Sequence, residues 1–184
     1  MHIKETLKKY EFIRTIYSWL VESRYRIATY ISPKLNTKIR YKQFFEKKLD
    51  LNNPKTLNEK ILWLKLNRYM KDPLVIQCAD KYRVREYVRK CGCGEILNDL
   101  IGVYNKVEEI PWEKLPNEFV LKWNFGCGMN IICTNKSLMD KDEVFKQMRE
   151  WEKDKYWLTY SEMQYKYMPK KILCERLLKD KLFE

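Results

Sequence analysis

The chain has 184 residues, of which 45% are hydrophobic and 14% aromatic, with only five glycines and six prolines. This composition excludes a disordered or collagen-like chain and predicts one good core, or one domain and the beginning of a second. The 37 Lys and Arg against 25 Asp and Glu give a formal net charge of +12, which favours an anionic partner such as nucleic acid, phosphorylated ligand, acidic glycan or anionic lipid.

Several function classes are disfavoured by what the sequence lacks. It has no zinc-finger spacing, no RNP-like aromatic pattern and no arginine-glycine tract, so sequence-specific nucleic-acid binding is not expected. The single histidine, His2, disfavours most Ser-His and Cys-His mechanisms and a zinc site. With no secretory signal and no apolar run of membrane-spanning length, we interpret the six cysteines as buried free thiols in a reducing cytosol.

Residues 3–31 show apolar side chains at helical spacing, with lysines and arginines between them. This pattern predicts one long basic helix that ends at Pro33. Its apolar stripe either packs on the rest of the protein, which we favour because charged residues interrupt it, or lies on an anionic membrane surface. A second basic helix is predicted over residues 34–49.

The next elements are predicted from local signals. Thr56 and Glu59 form a Thr-x-x-Glu capping box, so a helix begins after the turn at residues 52–55. Asp80 is expected to cap another helix with Lys81 in its first turn, and Gly92 and Gly94 end that helix.

The second half of the chain alternates strands with helices. Strands are predicted within 96–104 (ending near Gly102), over 119–123, over 130–134 and over 171–178, with a capped helix over 140–153. Helices followed by mixed strands and helices predict an α+β protein. We divide it into a basic helical region (1–48) and two subdomains (49–118 and 119–184), the last incomplete because its final strand ends the chain.

Three places could carry chemistry, each with a simpler alternative. Lys81 at a helix start could accompany a bound anion, or be an ordinary surface lysine offset by Asp80. Lys122 precedes a loop with Gly126 and Gly128, where backbone N–H groups could approach phosphate oxygens, or it is an exposed lysine of a plain hairpin. Glu175 lies in an apolar strand and needs a polar ligand or basic neighbour if buried, or it faces solvent on an edge strand.

These segments together resemble the TupA-like ATP-grasp family, over about residues 45–180. The resemblance is carried by five ordered motifs: Leu51–Lys65 (LNNPKTLNEKILWLK), Asp80–Val88 (DKYRVREYV), Leu115–Lys122 (LPNEFVLK), Gly126-x-Gly128-x-Asn130-Ile131-Ile132, and Ile172–Glu175 (ILCE). Proteins of this family are associated with teichuronopeptide and cell-surface polysaccharide synthesis.

The resemblance implies an ATP-grasp fold and an ATP site. Lys81 and Lys122 would reach the nucleotide phosphates, and the loop from Gly126 through Gly128 to Asn130 would close over the triphosphate. Glu175 would sit beside adenine, with the backbone of Arg176 and Leu177 contacting the base edge. Cys127 and the lack of a histidine depart from the family's usual loop.

The resemblance also implies a reaction and a place. ATP-grasp ligases activate a carboxylate as an acyl phosphate, which an amine then attacks, with Mg²⁺ assisting. The family's magnesium ligands would lie beyond Glu184, so we expect these 184 residues to be inactive alone. Partners would be a nucleotide and an anionic glycan or lipid-linked acceptor, in the cytoplasm or peripherally at the inner membrane face through residues 3–31.

Two other functions stay open. A non-enzymatic basic module could bind an anionic glycan or membrane surface, and its binding would collapse at high salt. A glycosyltransferase-type polysaccharide biosynthesis protein would need an Asp-x-Asp-like metal motif. Asp140-Lys141-Asp142 has that spacing, but its position at a helix start favours a helix cap.

Overall fold

The computed structural model describes residues 2–179, without the side chains of residues 2–9, 11 and 12. Seven α-helices lie in this range: α1 (His2–Ile31), α2 (Pro33–Phe45), α3 (Leu57–Leu64), α4 (Pro73–Ala79), α5 (Val84–Lys90), α6 (Lys141–Lys153) and α7 (Trp157–Tyr160). The strands are β1 (Leu100–Tyr104), β2 (Phe119–Trp123), β3 (Asn130–Cys133) and β4 (Ile172–Glu175). The predicted α+β class is confirmed.

Two compact units divide the chain. The first comprises Met1–Met70 and Tyr156–Met163, and the second comprises Lys71–Lys155 and Gln164–Glu184. Helices α1, α2, α3 and α7 belong to the first unit, whereas the whole sheet belongs to the second. The three-part functional division at residues 48 and 118 stays a prediction.

Helix α1 has the predicted length and ends at Ile31, just before Pro33 begins α2. Its second half packs on α2 and α7, where Tyr25, Ala28 and Thr29 are buried. The predicted packing of the first half is wrong for the side chains that the structure describes, because these are exposed: Tyr10, Ile13, Tyr17 and Leu20. Ile3 and Leu7 lie outside the described side chains. None of the described helices combines the length and the apolar character needed to cross a bilayer.

A buried polar cluster joins three segments of the first unit. The amide nitrogen of Asn36 donates to Thr29 Oγ1 at 2.6 Å, to Ser161 Oγ at 3.0 Å and to the carbonyl oxygen of Thr159 at 3.2 Å. Thr29 and Ser161 hydroxyls also lie 2.9 Å apart. These hydrogen bonds join the segment after α7 to α1 and α2, although the Oδ1 atom of Asn36 is buried without a partner among the described residues.

The predicted capping box is confirmed at the start of α3. The backbone N–H of Glu59 donates to Thr56 Oγ1, and the Thr56 N–H donates to a Glu59 carboxylate oxygen. Helix α3 continues into a π-helical segment, Lys65–Tyr69. Such segments are rare and frequently occur at functional sites.

The second unit is built on one antiparallel sheet with the strand order β1-β4-β2-β3. The predicted hairpin of β2 and β3 is confirmed. Strand β4 is shorter than predicted, and it is a central strand with partners on both sides. Strand β1 continues past Gly102 to Tyr104, contrary to the expected end near Gly102, because Val103 and Tyr104 still pair with residues of β4.

One face of this sheet is covered by α6. Every second side chain of β2 is fully buried: Phe119, Leu121 and Trp123. The indole N–H of Trp123 donates to the carbonyl oxygen of Met148 on α6 at 3.0 Å. Helix α6 begins where predicted, since the Asp140 carboxylate accepts the backbone N–H groups of residues 142 and 143. The Asp-Lys-Asp spacing there is a helix cap.

All six cysteines are free thiols. Cys133 and Cys174, which lie in apolar stretches, are buried as predicted. The prediction of burial is wrong for the other four, which are exposed because they lie on short helices or in loops: Cys78, Cys91, Cys93 and Cys127.

Candidate functional site

The register of the sheet brings three predicted site residues to one face. Lys122 lies opposite Asn130 on β3 and opposite Leu173 on β4, and Glu175 is two residues further along β4. Opposite residues of an antiparallel pair share a face, and so do residues two apart on one strand. Lys122, Asn130 and Glu175 therefore lie on the face opposite to the one that α6 covers.

Glu175 is buried and held by two cations. Its carboxylate lies 2.5 Å from Lys122 Nζ and 3.4 Å from a guanidinium nitrogen of Arg85, and the Asn98 side-chain amide donates to it at 3.4 Å. The side chains of Glu175 and Arg85 are each only 8% exposed, whereas that of Lys122 is 23% exposed. The interpretation of Glu175 as a buried carboxylate with basic neighbours is correct, and the edge-strand alternative is wrong because β4 is central.

Lys81 approaches the same region from the turn before α5. The predicted position in the first turn of a helix is wrong, because the Asp80 carboxylate accepts the N–H groups of Tyr82 and Arg83 and the helix begins only at Val84. The Lys81 backbone N–H donates to the Asn124 carbonyl oxygen at 3.2 Å, and its ammonium group donates to the Gly126 carbonyl oxygen at 2.6 Å. Lys81 is thus fixed at both ends to the segment that follows β2.

Burial lowers the pKa of Lys81, and the positive charge of Lys122 lowers it further, while Cys127 and Asp80 act in the opposite direction. The Gly126 carbonyl oxygen that accepts from Lys81 belongs to the loop that directly follows β2, the strand that carries Lys122. Two lysines that are 41 positions apart in sequence therefore lie in one region of the second unit.

The glycine loop between β2 and β3 needs both of its glycines. Gly126 and Gly128 have φ angles of 76° and 78°, a conformation that other residues adopt only with strain. The loop is anchored at its start by the buried Asn124, whose side chain donates to the Pro169 carbonyl oxygen and accepts the Lys171 N–H. Asn130 is exposed where the loop enters β3.

Arg176 and Leu177 follow β4 and line a cavity of about 800 Å³ at the end of the sheet. Asp99, Ile101 and Glu118 also line it. The Arg176 backbone is already engaged, because its N–H donates to the Asp99 carbonyl oxygen and its carbonyl oxygen accepts from the Asn98 side chain. Its guanidinium also pairs with the Asp99 carboxylate at 3.3 Å. The nucleotide-binding roles of all eight predicted residues stay predictions.

Sequence reasoning missed three residues that shape this region. Arg85 binds Glu175 and the Asn98 carbonyl oxygen, Asn98 bridges to Arg176, and Asn124 anchors the glycine loop. One feature of the sequence could have indicated that Arg85 is buried, since it lies on α5 between the apolar residues Val84 and Val88. The Nε atom of Arg85 is buried and unpaired among the described residues.

A magnesium site does not form from the carboxylates near the lysines. Asp80 caps the turn before α5, and Glu175 is engaged by two cations. Within the part of the chain that the structure describes, no three His, Cys, Asp or Glu side chains cluster so that they could hold a metal ion. Because Mg²⁺ is usually held by one or two carboxylates together with substrate phosphates, the described residues supply no complete magnesium site of their own.

One of three comparisons with known proteins found a match. The family model described as TupA-like ATPgrasp matches residues 59–182, a range that includes every predicted site residue and leaves residues 1–58 unmatched. No curated protein matches the chain, and no solved structure does.

Proposed function

This chain belongs to the TupA-like ATP-grasp family, and we propose that it binds ATP on the sheet face that carries Lys122 and Glu175. The observation that carries the proposal is the position of Lys81 against the loop that follows the Lys122 strand: its ammonium group donates to the Gly126 carbonyl oxygen, and the charge of Lys122 adds to burial in lowering its pKa. Two neighbouring ammonium groups repel each other, so a polyphosphate placed between them removes an unfavourable interaction and adds charge-assisted hydrogen bonds.

Lys122 changes partner when the phosphates bind. In the free protein its ammonium group lies against Glu175, which also has Arg85 as a second cation. A phosphate oxygen can therefore take Lys122 without leaving the carboxylate unpaired in the protein interior. Lys81 makes the corresponding change from the Gly126 carbonyl oxygen to phosphate, which frees the glycine loop to close over it.

The base and ribose have a separate place in this proposal. The cavity beyond β4 offers Ile101, Leu177 and Leu178 as apolar surface for adenine, and its polar side chains Asp99 and Glu118 suit the ribose hydroxyls. It lies at the end of β4 next to Glu175, so a nucleotide would run from this cavity past Glu175 to the lysines. Arg176 holds the cavity wall through its bonds to Asp99.

We propose that the chain is the ATP-binding portion of an ATP-dependent carboxylate–amine ligase of cell-surface polysaccharide biosynthesis, and that it is inactive alone. Bound ATP supplies the phosphoryl group that activates a carboxylate for attack by an amine. Lys81 and Lys122 hold the phosphates in place and offset the charge on the transferring group. The proposed acceptor is an anionic glycan or lipid-linked glycan, which the net charge of +12 would attract, at the cytoplasmic face of a membrane.

Titration of ATP against the wild type and three variants tests nucleotide binding. Lys81→Met and Lys122→Met should each weaken binding by about tenfold or more, the size of a lost charge-assisted hydrogen bond. Lys146→Met is the matched control, because it removes the same charge from an exposed position on α6, which packs on the opposite face of the sheet. Equal affinities in all four proteins would overturn the assignment.

Salt dependence separates this proposal from non-enzymatic attraction of anions to a basic surface. Interactions between exposed charges are largely screened at high ionic strength, whereas those of buried groups persist. ATP binding that survives at about 1 M salt and still requires Lys81 supports a nucleotide site. Binding that disappears there equally in the wild type and in Lys81→Met would support the basic-module alternative.

A further inference from the structure

The first unit contains a cavity of about 460 Å³ that the proposed ATP site does not use. Its walls come from α1, α2, α3, α7 and the π-helical segment, and six of its lining residues matter here: Tyr25, Arg40, Tyr41, Phe44, Lys65 and Tyr160. Four of these six are aromatic and the other two are cations. Its volume is in the range of small-molecule sites.

Arg40 lies between two tyrosine rings. The carbon at the centre of its guanidinium is 3.8 Å from the ring centroid of Tyr25 and 4.3 Å from that of Tyr160. Stacking fixes the plane of the guanidinium and leaves its edge as the donor surface, which is the geometry that recognises oxyanions. Its Nε atom is buried and has no hydrogen-bond partner among the described residues. The cavity is therefore lined by a guanidinium group whose plane two tyrosine rings fix, and an oxyanion in the cavity can meet its cationic edge.

Lys65 is the second cation of the cavity. It is the first residue of the π-helical segment, and its ammonium group donates to the Tyr160 carbonyl oxygen at 2.9 Å. Burial lowers the pKa of Lys65, the charge of Glu162 raises it and that of Arg40 lowers it. Lys65 and Arg40 therefore lie within each other's field, and Glu162 is one acidic group beside two basic ones.

The rest of the lining includes the polar residues Thr37 and Gln43 and an aromatic group that is partly open to solvent. Tyr41 stacks at 4.6 Å on Phe45, which meets Phe44 at 4.9 Å. Phe44 is 82% exposed, although a large apolar side chain gains free energy by burial. A ligand that covers Phe44 while its anionic end reaches Arg40 would bury the exposed ring and place an acceptor beside a cation.

We propose that this cavity binds a small amphipathic oxyanion, a carboxylate or phosphate on an apolar or aromatic body. The oxyanion lies between Arg40 and Lys65, and the apolar part lies on Tyr41 and Phe44. The site is independent of the proposed ATP site, since every residue that forms it belongs to the first unit and α1 and α2 lie outside the family match.

The probe for this site is anilinonaphthalene sulfonate, a fluorescent aromatic oxyanion, titrated against the full chain. We expect Arg40→Gln and Lys65→Gln each to weaken probe binding by about tenfold or more. Arg68→Gln is the matched control, because Arg68 is an exposed cation of the same π-helical segment that does not line the cavity. Unchanged affinity in both cavity variants would overturn the proposal.

Two further measurements keep the test decisive. Arg40 also packs on two tyrosines, so its replacement could unfold the unit. Phe44→Ser changes an exposed ring instead, and it should weaken probe binding while leaving the melting temperature of the protein unchanged. Octanoate, octyl phosphate and octanol are then compared as competitors of the probe. Displacement by an anion but not by octanol supports the site and identifies its oxyanion, whereas equal displacement by octanol would reduce it to a plain apolar surface.

Discussion

The ammonium group of Lys122 lies 2.5 Å from a carboxylate oxygen of Glu175, and the two residues are diagonal neighbours on adjacent strands of one sheet face. Arg85 completes the arrangement from α5, at 3.4 Å from the other oxygen. The carboxylate therefore holds together two elements of the second unit, and it holds Lys122 where Lys81 also approaches. The Glu175 carboxylate therefore contributes both to the packing of the second unit and to the proposed ATP site.

Replacement of Glu175 by glutamine should destabilise the protein. It leaves Arg85 and Lys122 without a counter-charge, and removal of one partner from a buried ion pair costs about 3 kcal/mol. Lys122→Met should cost less, because Lys122 is more exposed and Glu175 keeps Arg85 and Asn98. Urea denaturation measures both free energies of unfolding. Equal costs for the two variants would contradict the central position of the carboxylate.

The pKa of Lys81 makes ATP binding depend on pH. Burial and Lys122 lower this pKa in the free protein, and phosphate oxygens would raise it by favouring the charged ammonium. The affinity for ATP should be highest below the lowered pKa and fall as the pH rises through it. Between the pKa values of the free and bound states, binding should take up one proton.

Calorimetry at alkaline pH, in two buffers of different ionisation enthalpy, measures this proton uptake. Lys81→Met should abolish it, and the same uptake in wild type and variant would assign the proton to another group. The lowered pKa has a consequence for stability as well. Because the unfolded chain binds the proton more tightly, the free energy of unfolding should rise with pH between the lowered pKa and the ordinary lysine value of about 10.4.

Local sequence signals predicted those parts of this region that depend on neighbours in sequence. The capping box at Thr56 and the hairpin around Gly126 are set by residues a few positions apart, and both predictions are confirmed. The sequence also predicted that Glu175 needs a basic partner if it is buried. Burial of a charged carboxylate in an apolar strand costs free energy unless the charge is paired.

The partners themselves could not be predicted. In the sequence, Arg85 looks like an ordinary cation of a helix, and no residue near it indicates a contact with Glu175. That contact depends on the packing of α5 against the sheet. The stacking of Arg40 between Tyr25 and Tyr160 depends in the same way on distant segments. The wrong position of Lys81 has a local cause, because the Asp80 side chain forms a turn with Tyr82 and Arg83 that delays the helix.

The cysteines should fall into two classes of reactivity. Burial raises the pKa of Cys174 to about 12, with Glu175 and Cys133 adding to the effect, and burial also raises the pKa of Cys133. Because the thiolate is the nucleophile, both should resist N-ethylmaleimide at neutral pH. The four exposed cysteines should react first, as peptide mass spectrometry would show.

ATP should protect one of these cysteines selectively. Cys127 lies in the glycine loop between the two residues of positive φ, next to the carbonyl group that binds Lys81. If the loop closes over the phosphates, ATP should slow the modification of Cys127 while Cys78, Cys91 and Cys93 react at unchanged rates. Uniform rates with and without ATP would contradict closure of the loop.

A glycine pair separates backbone strain from nucleotide binding. Gly128 and Gly92 have φ angles of 78° and 76°, and an added Cβ atom at either would meet nothing within 4 Å. Alanine at either position should therefore cost a similar amount of stability, about 1 kcal/mol, from the left-handed conformation alone. Gly128→Ala should also weaken ATP binding, because it stiffens the loop that must move. Gly92 lies after α5, outside this loop, so Gly92→Ala should leave the affinity for ATP unchanged. Denaturation midpoints and ATP titrations of the two variants measure both effects, and an equal loss of affinity in both would show that the glycine loop has no specific part in binding.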